Sequence, residues 1–426
     1  MDDLQSFDKQ RVELAPAVKE THAPDSITTL ALVLLWVVQC CYIIAYNNLS
    51  SVASLLSIGV SSLFFVFTYF SIVFNLRFGA RLIALIGTFV IITLILASTG
   101  DNPANFGPLS RYCISLAALG AFAFARVGDH RRFLSLGATV LLLYAVVVAV
   151  TSGPLTYSGV ARFAPFFGGE TAVHSSSITM VALVIILWCS PWPLLARAPL
   201  CMIGTVLCAG YGVTTALLML VMFLAAVAFD HYNLSFKWTG AVAAVVIPIG
   251  AAWRDSTQVA GGDVASLGIG SLGSGRLDSW IERIDIFINS DLIAKLLGGG
   301  PYSDFRTTSL WWWSEKGAHS DVMTVLMEFG LIGILALAMY LIYLYMNISN
   351  KGRAALIAIV AGMTLSNALL DRPTVAMVWG LAIYSASLRL PNRDAPPMRA
   401  GQFGQESLRP GASSLEVPCR GNVLKR

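Results

Sequence analysis

Charged residues are scarce in this sequence, and their scarcity decides the class of protein. Only 12% of the 426 residues are charged, whereas 56% are hydrophobic, which is more apolar surface than a water-soluble domain can bury. The formal net charge is only +4, and the basic residues are scattered through short connections. A dense basic patch is therefore missing, which excludes nucleic acid as an expected partner. The solvent for most of the chain is expected to be the lipid bilayer.

Several signatures of metal and nucleotide chemistry are also missing. The seven cysteines include no pair at metal-ligand spacing in a polar loop, so we interpret them as small apolar packing residues. The polar loops contain no Asp-x-Asp, no His-Glu-x-x-His and no phosphate-binding GxxxxGK motif. Gly268 to Gly273 matches GxGxxG, but no strand precedes it, and a flexible loop explains it better. Neither a metal nor a cofactor is expected.

Twelve apolar stretches indicate an all-α polytopic membrane protein of about 12 transmembrane helices. A span needs about 20 residues, and the stretches lie at 27–46, 52–74, 82–98, 112–125, 133–150, 173–189, 199–210, 213–229, 238–252, 322–346, 354–370 and 374–390. Nine helices would thus occupy 27–252, and three would follow within 319–390. The stretch 199–229 has an alternative interpretation as one long helix interrupted at Gly210-Tyr211-Gly212.

Positive charge predicts the orientation, because cytoplasmic connections are enriched in Lys and Arg. With the N-terminus inside, the twelve-span arrangement places nine basic residues on the cytoplasmic side: Arg77, Arg81, Arg126, Arg131, Arg132, Arg197, Lys237, Lys351 and Arg353. Residues 1–26 then form a cytoplasmic segment without a cleavable signal peptide. Residues 391–426, rich in Pro, Gly, Ser and Arg, form a cytoplasmic tail that we expect to be disordered. Two outward loops remain, at 151–172 and 253–318.

The longer outward loop contains an expected amphipathic helix. Six apolar residues recur there at spacings of three and four: Leu277, Trp280, Ile281, Ile284, Phe287 and Ile288. Arg276 precedes them, at a helix N-terminus where unpaired backbone N–H groups favour anions. This arrangement suits a diphosphate, although contact with lipid headgroups is an open alternative.

Arg162 is the only basic residue of the shorter outward loop. A guanidinium group suits bidentate contact with phosphate. The alternative is that Arg162 pairs with Glu170 or stacks on Phe163. Glu170 and His174 are secondary site candidates.

The sequence His319-Ser320-Asp321 stands at the outer end of a strongly apolar helix that contains Glu328. An ionisable residue within a span is a candidate functional residue, and histidine has an ordinary pKa near 6.5 that suits a general base. Asp321 fits the helix N-terminus and shares a helix face with Glu328. A purely structural histidine is the alternative. Trp311, Trp312 and Trp313 nearby indicate an interfacial anchor or a platform for sugar rings.

The combination resembles the O-antigen ligase and polysaccharide polymerase family. The resemblance lies in four motifs in order and in an upstream arginine motif: Gly275 to Trp280, Gly298 to Gly300, Ala318 to Asp321, Leu326 to Gly333, and Arg162 to Gly169. Many members have Pro-Asn where this chain has Gly169-Glu170, and a Ser-Arg pair where it has Gly210-Tyr211-Gly212. The closest similarity covers residues 275–335.

This resemblance implies a fold like that of the glycosyltransferases of type C and a site on the periplasmic face of the bacterial inner membrane. The donor would be a glycan on undecaprenyl diphosphate, and the acceptor would be another glycan or lipid A core. Arg162 and Arg276 would hold the donor diphosphate, and His319 would orient or deprotonate the acceptor hydroxyl. We expect Asp321, Ser320, Trp280 and Glu328 to contact the substrates. Other polysaccharide assembly proteins are possible partners.

The same residues leave two alternatives to a polymerase: a ligase and a transporter. The arrangement of Ser303-Asp304-Phe305 and His319-Ser320-Asp321 favours a polymerase of surface polysaccharide over a ligase. A transporter or flippase of lipid-linked sugars would also need many spans, but its polar residues should converge near the membrane midplane.

Overall fold

The computed structural model describes residues 26–98, 106–125, 127–153, 155–157, 160–167, 173–231, 276–307 and 317–388. Several predictions lie outside these residues: the N-terminal segment, the apolar stretch 238–252, the GxGxxG sequence, Glu170, the three tryptophans and the tail. The described elements are α1 (Ser26–Asn48), α2 (Ser50–Phe74), α3 (Leu76–Ser98), α4 (Phe106–Phe124), α5 (Arg131–Ser152), β1 (Leu155–Tyr157), β2 (Val160–Arg162), α6 (Val173–Trp188), α7 (Leu194–Gly210), α8 (Thr214–His231), α9 (Arg276–Asn289), α10 (Leu292–Leu297), α11 (Asp321–Asn347), α12 (Asn350–Leu365) and α13 (Pro373–Ser387).

The architecture is that of a helical membrane protein. Eleven of the twelve predicted apolar stretches lie on helices. Among the described residues, five helices are long and apolar enough to cross a membrane: Ser26–Tyr46, Ser51–Phe74, Leu76–Ser98, Arg131–Ser152 and Asp321–Asn347. The number of twelve spans stays a prediction. A short antiparallel hairpin of β1 and β2, with Leu155 opposite Arg162, interrupts the helices.

The apolar run at 199–229 forms two helices. Helix α7 ends at Gly210 and α8 begins at Thr214. Between them Gly212 has a φ of +61°, a left-handed conformation that glycine adopts without a steric cost. The buried ring of Tyr211 fills the corner. The prediction of two separate helices is therefore confirmed, and the alternative of one long helix is wrong.

Some helices form the core, whereas others form the surface. Helices α6, α12 and α13 are buried along almost their whole length, which suits their apolar residues on all sides. Helices α1, α2 and α3 form an outer layer that exposes large aliphatic side chains, such as Leu55 and Ile83. Exposed apolar surface of this extent is the expected contact with lipid tails.

Basic side chains gather at one end of the helices. Arg81 lies over the ring of Tyr343, and Arg353 lies over the ring of Tyr345, both near the C-terminal end of α11. Arg131 pairs with Asp129 and donates to the carbonyl of Leu388. The N-terminal end of α11, with Ser320 and Asp321, lies at the opposite end of this 27-residue helix.

Candidate functional site

The N-terminus of α11 is fixed by the two residues that follow His319. Ser320 is the N-cap, and its hydroxyl accepts from the Met323 N–H at 3.3 Å. The buried carboxylate of Asp321 accepts from the backbone N–H of Leu369 at 2.8 Å and of Leu370 at 3.3 Å. These bonds tie α11 to the connection between α12 and α13, and they explain why α12 ends at Leu365, before the predicted residue 370.

His319 itself has an uncommon backbone conformation. Its φ is +53°, a left-handed value that costs a residue with a β-carbon about 1–3 kcal/mol and persists only where the surroundings impose it. Its side chain is half-buried. The preceding residue, Ala318, is fully buried and both of its backbone polar groups are bonded. Its N–H donates to Asp304 Oδ2 at 2.8 Å, and its carbonyl accepts from Trp280 Nε1 at 2.6 Å.

The described residues of helix α9 run from Arg276 to Asn289, and its apolar residues divide between two faces. Trp280 is only 6% exposed, whereas Ile281 is 51% exposed and Ile288 is 59% exposed. The inward face is partly polar, because Ser279 and Arg283 are both fully buried. The isoleucines instead form the outward, lipid-compatible face of an amphipathic helix.

Arg283 forms a buried ion pair that the sequence analysis does not single out. Its Nε lies 2.9 Å from Asp304 Oδ1, and neither side chain is more than 1% exposed. Arg283 also donates to the carbonyl and hydroxyl oxygens of Ser279 and to the carbonyl of Asp304. Asp304 Oδ2 accepts in addition from the hydroxyl of Thr324 at 2.8 Å. A charge pair survives such burial only with this degree of hydrogen bonding.

Gly298, Gly299 and Gly300 form a glycine segment that is bonded to α11 at its kink. Gly330 has a φ of +60° within the helix, so the helical hydrogen-bond ladder is interrupted there. The carbonyls of Met327 and Glu328 accept instead from the N–H groups of Gly299 at 2.9 Å and Gly300 at 3.0 Å. Two motifs that are 26 or more residues apart in sequence thus share one backbone junction.

Glu328 is buried beside this junction. Its Oε1 accepts from the Tyr302 N–H at 3.0 Å and from the Tyr112 hydroxyl at 3.4 Å. Its Oε2 is buried without a hydrogen-bond partner among the described residues. The carboxyl group faces the protein interior, where an ionised carboxylate is costly.

A small recess opens beside the N-terminus of α11, with about 290 Å³ of space that extends into the solvent. Its lining combines three carboxyl groups with other polar and apolar side chains: Asp304, Asp321 and Asp371, together with Asn367, Tyr112, Phe305, Thr324 and Leu370. Asp371 pairs with Arg111 at 2.8 Å. Burial raises the pKa of Asp371, although Arg111 and Arg372 oppose that shift. The sequence analysis names neither Asp371 nor Arg372, whose guanidinium donates to Ser175 at 2.9 Å.

The backbone of Arg162 lies at the end of β2, and the segment after it is bound to α6. The hydroxyl of Ser176 donates to the Phe166 carbonyl and accepts from the Phe166 N–H. His174 is the second residue of that helix and is half-buried. The structure thus describes the backbone of Arg162 at the end of β2 and that of Arg276 as the first described residue of α9, while Glu170 lies outside the described residues.

Trp280, Ser320, Asp321 and Glu328 all have polar groups engaged by the protein itself. Their contact with substrate stays a prediction, as do the roles of His319 and the two arginines. Comparisons of the chain with protein-family models and with curated proteins gave no significant match.

Proposed function

We propose that this protein is a membrane glycosyltransferase that transfers a glycan from undecaprenyl diphosphate to an acceptor sugar and that polymerises surface polysaccharide. One observation supports it most. Hydrogen bonds connect the four motifs that carry the resemblance in two pairs, Trp280 with Ala318 and the glycines Gly299 and Gly300 with α11. Trp280 and Asp304 bind Ala318, and the glycine segment binds the kink beside Glu328.

The proposed reaction is a substitution at the anomeric carbon of the donor sugar. The acceptor hydroxyl oxygen forms a bond to that carbon, and the bond from the carbon to the diphosphate oxygen breaks. The hydroxyl proton passes to His319, which is the proposed general base. Negative charge grows on the leaving diphosphate, and the guanidinium groups of Arg162 and Arg276 stabilise it by paired hydrogen bonds.

The proposed location is the bacterial inner membrane, with the reacting face in the periplasm and both termini in the cytoplasm. The basic end formed by Arg81, Arg131 and Arg353 supports this orientation, because cytoplasmic ends are rich in Lys and Arg. The N-terminus of α11 then faces the periplasm. The isoleucines of α9 are exposed, which supports contact of this helix with lipid tails.

A transporter of lipid-linked sugars is the second candidate, and Glu328 favours it. A buried carboxyl group with an unbonded oxygen inside a span is typical of ion and proton pathways. The two candidates differ in chemistry, because a transporter leaves the bond between sugar and diphosphate intact.

The test is the size distribution of surface polysaccharide from a deletion strain that carries wild type, Arg162→Ala, Arg276→Ala or His319→Ala at matched expression. The matched control is Arg77→Ala, an exposed arginine at the start of α3. Single repeat units in the three variants support a polymerase, whereas full-length chains retained on the carrier indicate a ligase. Wild-type ladders from all three variants contradict the glycosyltransferase.

A further inference from the structure

Ala318 is bonded through both of its backbone polar groups, although its side chain carries no reactive group. Both polar groups of this buried residue are bonded to side chains from other segments: the N–H to Asp304 and the carbonyl to Trp280. Peptide groups are usually bonded to other backbone groups or water. Here two side chains fix the peptide that immediately precedes His319.

His319 needs fixed neighbours because of its own conformation. A positive φ at a residue with a β-carbon is maintained only by surrounding contacts. On the C-terminal side the Ser320 cap and the Asp321 carboxylate supply them. On the N-terminal side, the hydrogen bonds that Trp280 and Asp304 form with Ala318 supply such contacts.

Asp304 links these bonds into one unit. One carboxylate oxygen accepts from Arg283, and the other accepts from Ala318 N–H and the Thr324 hydroxyl. Since Arg283 and Asp304 are at most 1% exposed, neither can hold a substrate as large as a sugar. The contact that connects this pair to His319 is the bond from the Ala318 N–H to Asp304.

We propose that Trp280, Arg283 and Asp304 are positioning residues that hold the His319 imidazole in its reactive orientation toward the acceptor hydroxyl. The inference rests on the proposed function of His319 as general base. It assigns Trp280 a role through its indole N–H, which is bonded to Ala318. A misplacement of about 1 Å in such a group can lower a rate about a hundredfold.

The test uses two mild variants, because loss of Arg283 or Asp304 can prevent folding. Trp280→Phe removes the N–H that binds Ala318 together with part of the buried ring, and Thr324→Val replaces the hydroxyl that donates to Asp304 with a methyl group. Matched controls exist in the same chain. Trp379→Phe removes the indole donor to the Ile178 carbonyl in the core, and Thr88→Val removes an exposed helical hydroxyl of α3.

Each full-length variant is purified in detergent, reconstituted in liposomes and supplied with the lipid-linked repeat unit extracted from the deletion strain. We expect kcat of Trp280→Phe to fall about tenfold, with KM for the donor within about twofold of wild type and a thermal midpoint no lower than that of Trp379→Phe. The smaller loss in Thr324→Val should follow the same pattern. In a His319→Gln background, Trp280→Phe should cause no further loss.

Wild-type kcat in both mild variants, or a loss that multiplies with that of His319→Gln, overturns the inference. If His319→Gln makes no product, the double variant is uninformative and the kinetics of Trp280→Phe alone test the inference. A rise in KM at constant kcat in Trp280→Phe then overturns it. Failure of the proposed function gives a different result, since His319→Ala is then itself fully active.

Discussion

Gly298 and Gly330 lie where two backbone segments cross so closely that neither position has room for a side chain. A β-carbon on Gly330 would lie 2.5 Å from the Leu296 carbonyl oxygen, and one on Gly298 would lie 2.4 Å from the Glu328 carbonyl carbon. Both glycines also have positive φ values. This crossing joins the glycine segment to the kink of α11.

Gly330→Ala should therefore lower the thermal midpoint of the detergent-solubilised protein and abolish activity, because backbone atoms cannot move away as a side chain can. The matched control is Gly87→Ala in α3, where a β-carbon meets nothing within 4 Å. That helical substitution should stabilise the protein by roughly 0.4–1 kcal/mol. Equal changes in the thermal midpoint for Gly330→Ala and Gly87→Ala would contradict this close approach of the two backbone segments.

The buried pair of Arg283 and Asp304 should show strong coupling. Arg283→Met leaves the Asp304 carboxylate buried without its cation, and such a loss costs about 3–5 kcal/mol. The double variant Arg283→Met with Asp304→Leu should lose less stability than the sum of the two single variants. Thermal midpoints of the four proteins measure this coupling, and additive losses would show that the pair contributes nothing as a pair.

Arg276→Lys should impair transfer without unfolding α9. Lysine keeps the charge at the helix N-terminus but cannot form two parallel hydrogen bonds to a diphosphate. A lost charge-assisted hydrogen bond of about 1.5–3 kcal/mol corresponds to roughly a tenfold to hundredfold lower rate. The rate of repeat-unit consumption in membranes measures the effect, with Arg77→Lys as control. An unchanged rate for Arg276→Lys would leave contact with lipid headgroups as the better interpretation.

Stability at low pH should depend on Asp129, at the end of the protein remote from the candidate site. Hydrogen bonding to Arg131 lowers the pKa of Asp129 below its ordinary 3.8, so the folded state favours the ionised form. The stabilisation is complete above pH 3.8 and is lost as the pH falls through the lowered pKa. Asp129→Asn should therefore lower the thermal midpoint at pH 7 more than at pH 3. The effect should be small because the Asp129 side chain is 49% exposed.

The proposed orientation predicts which ends are accessible from outside the cell. In a variant whose seven native cysteines are replaced, Asn289→Cys on α9 should react with a membrane-impermeant maleimide in intact spheroplasts. Lys351→Cys at the basic end should react only after the membrane is permeabilised. Both positions are exposed, so reagent access differs only by the side of the membrane. The opposite labelling pattern would reverse the orientation.

Sequence patterns predict most helices of this protein but little of its site. Apolar runs of spanning length are a strong signal, and eleven of them lie on helices. The hairpin of β1 and β2 has three residues per strand, too few for an alternating pattern to emerge. The helix over the described residues Arg276–Asn289 follows from the spacing of its apolar residues.

Arg283 shows why the remainder is hidden from sequence. An arginine on the polar face of an amphipathic helix ordinarily points to solvent, and its partner Asp304 is 21 residues away. Only tertiary packing buries both. The positive φ of His319 is equally invisible, because it follows from contacts that Trp280, Asp304 and Asp321 make from separate segments.

The central claim is that this protein breaks the bond between a glycan and undecaprenyl diphosphate. The most direct measurement is release of undecaprenyl diphosphate by the purified protein in liposomes that contain lipid-linked repeat units and a soluble glycan acceptor. We predict release with matching growth of the glycan for wild type, and neither product for His319→Ala. Intact donor that wild type moves across the bilayer, or equal release by His319→Ala, would contradict the account.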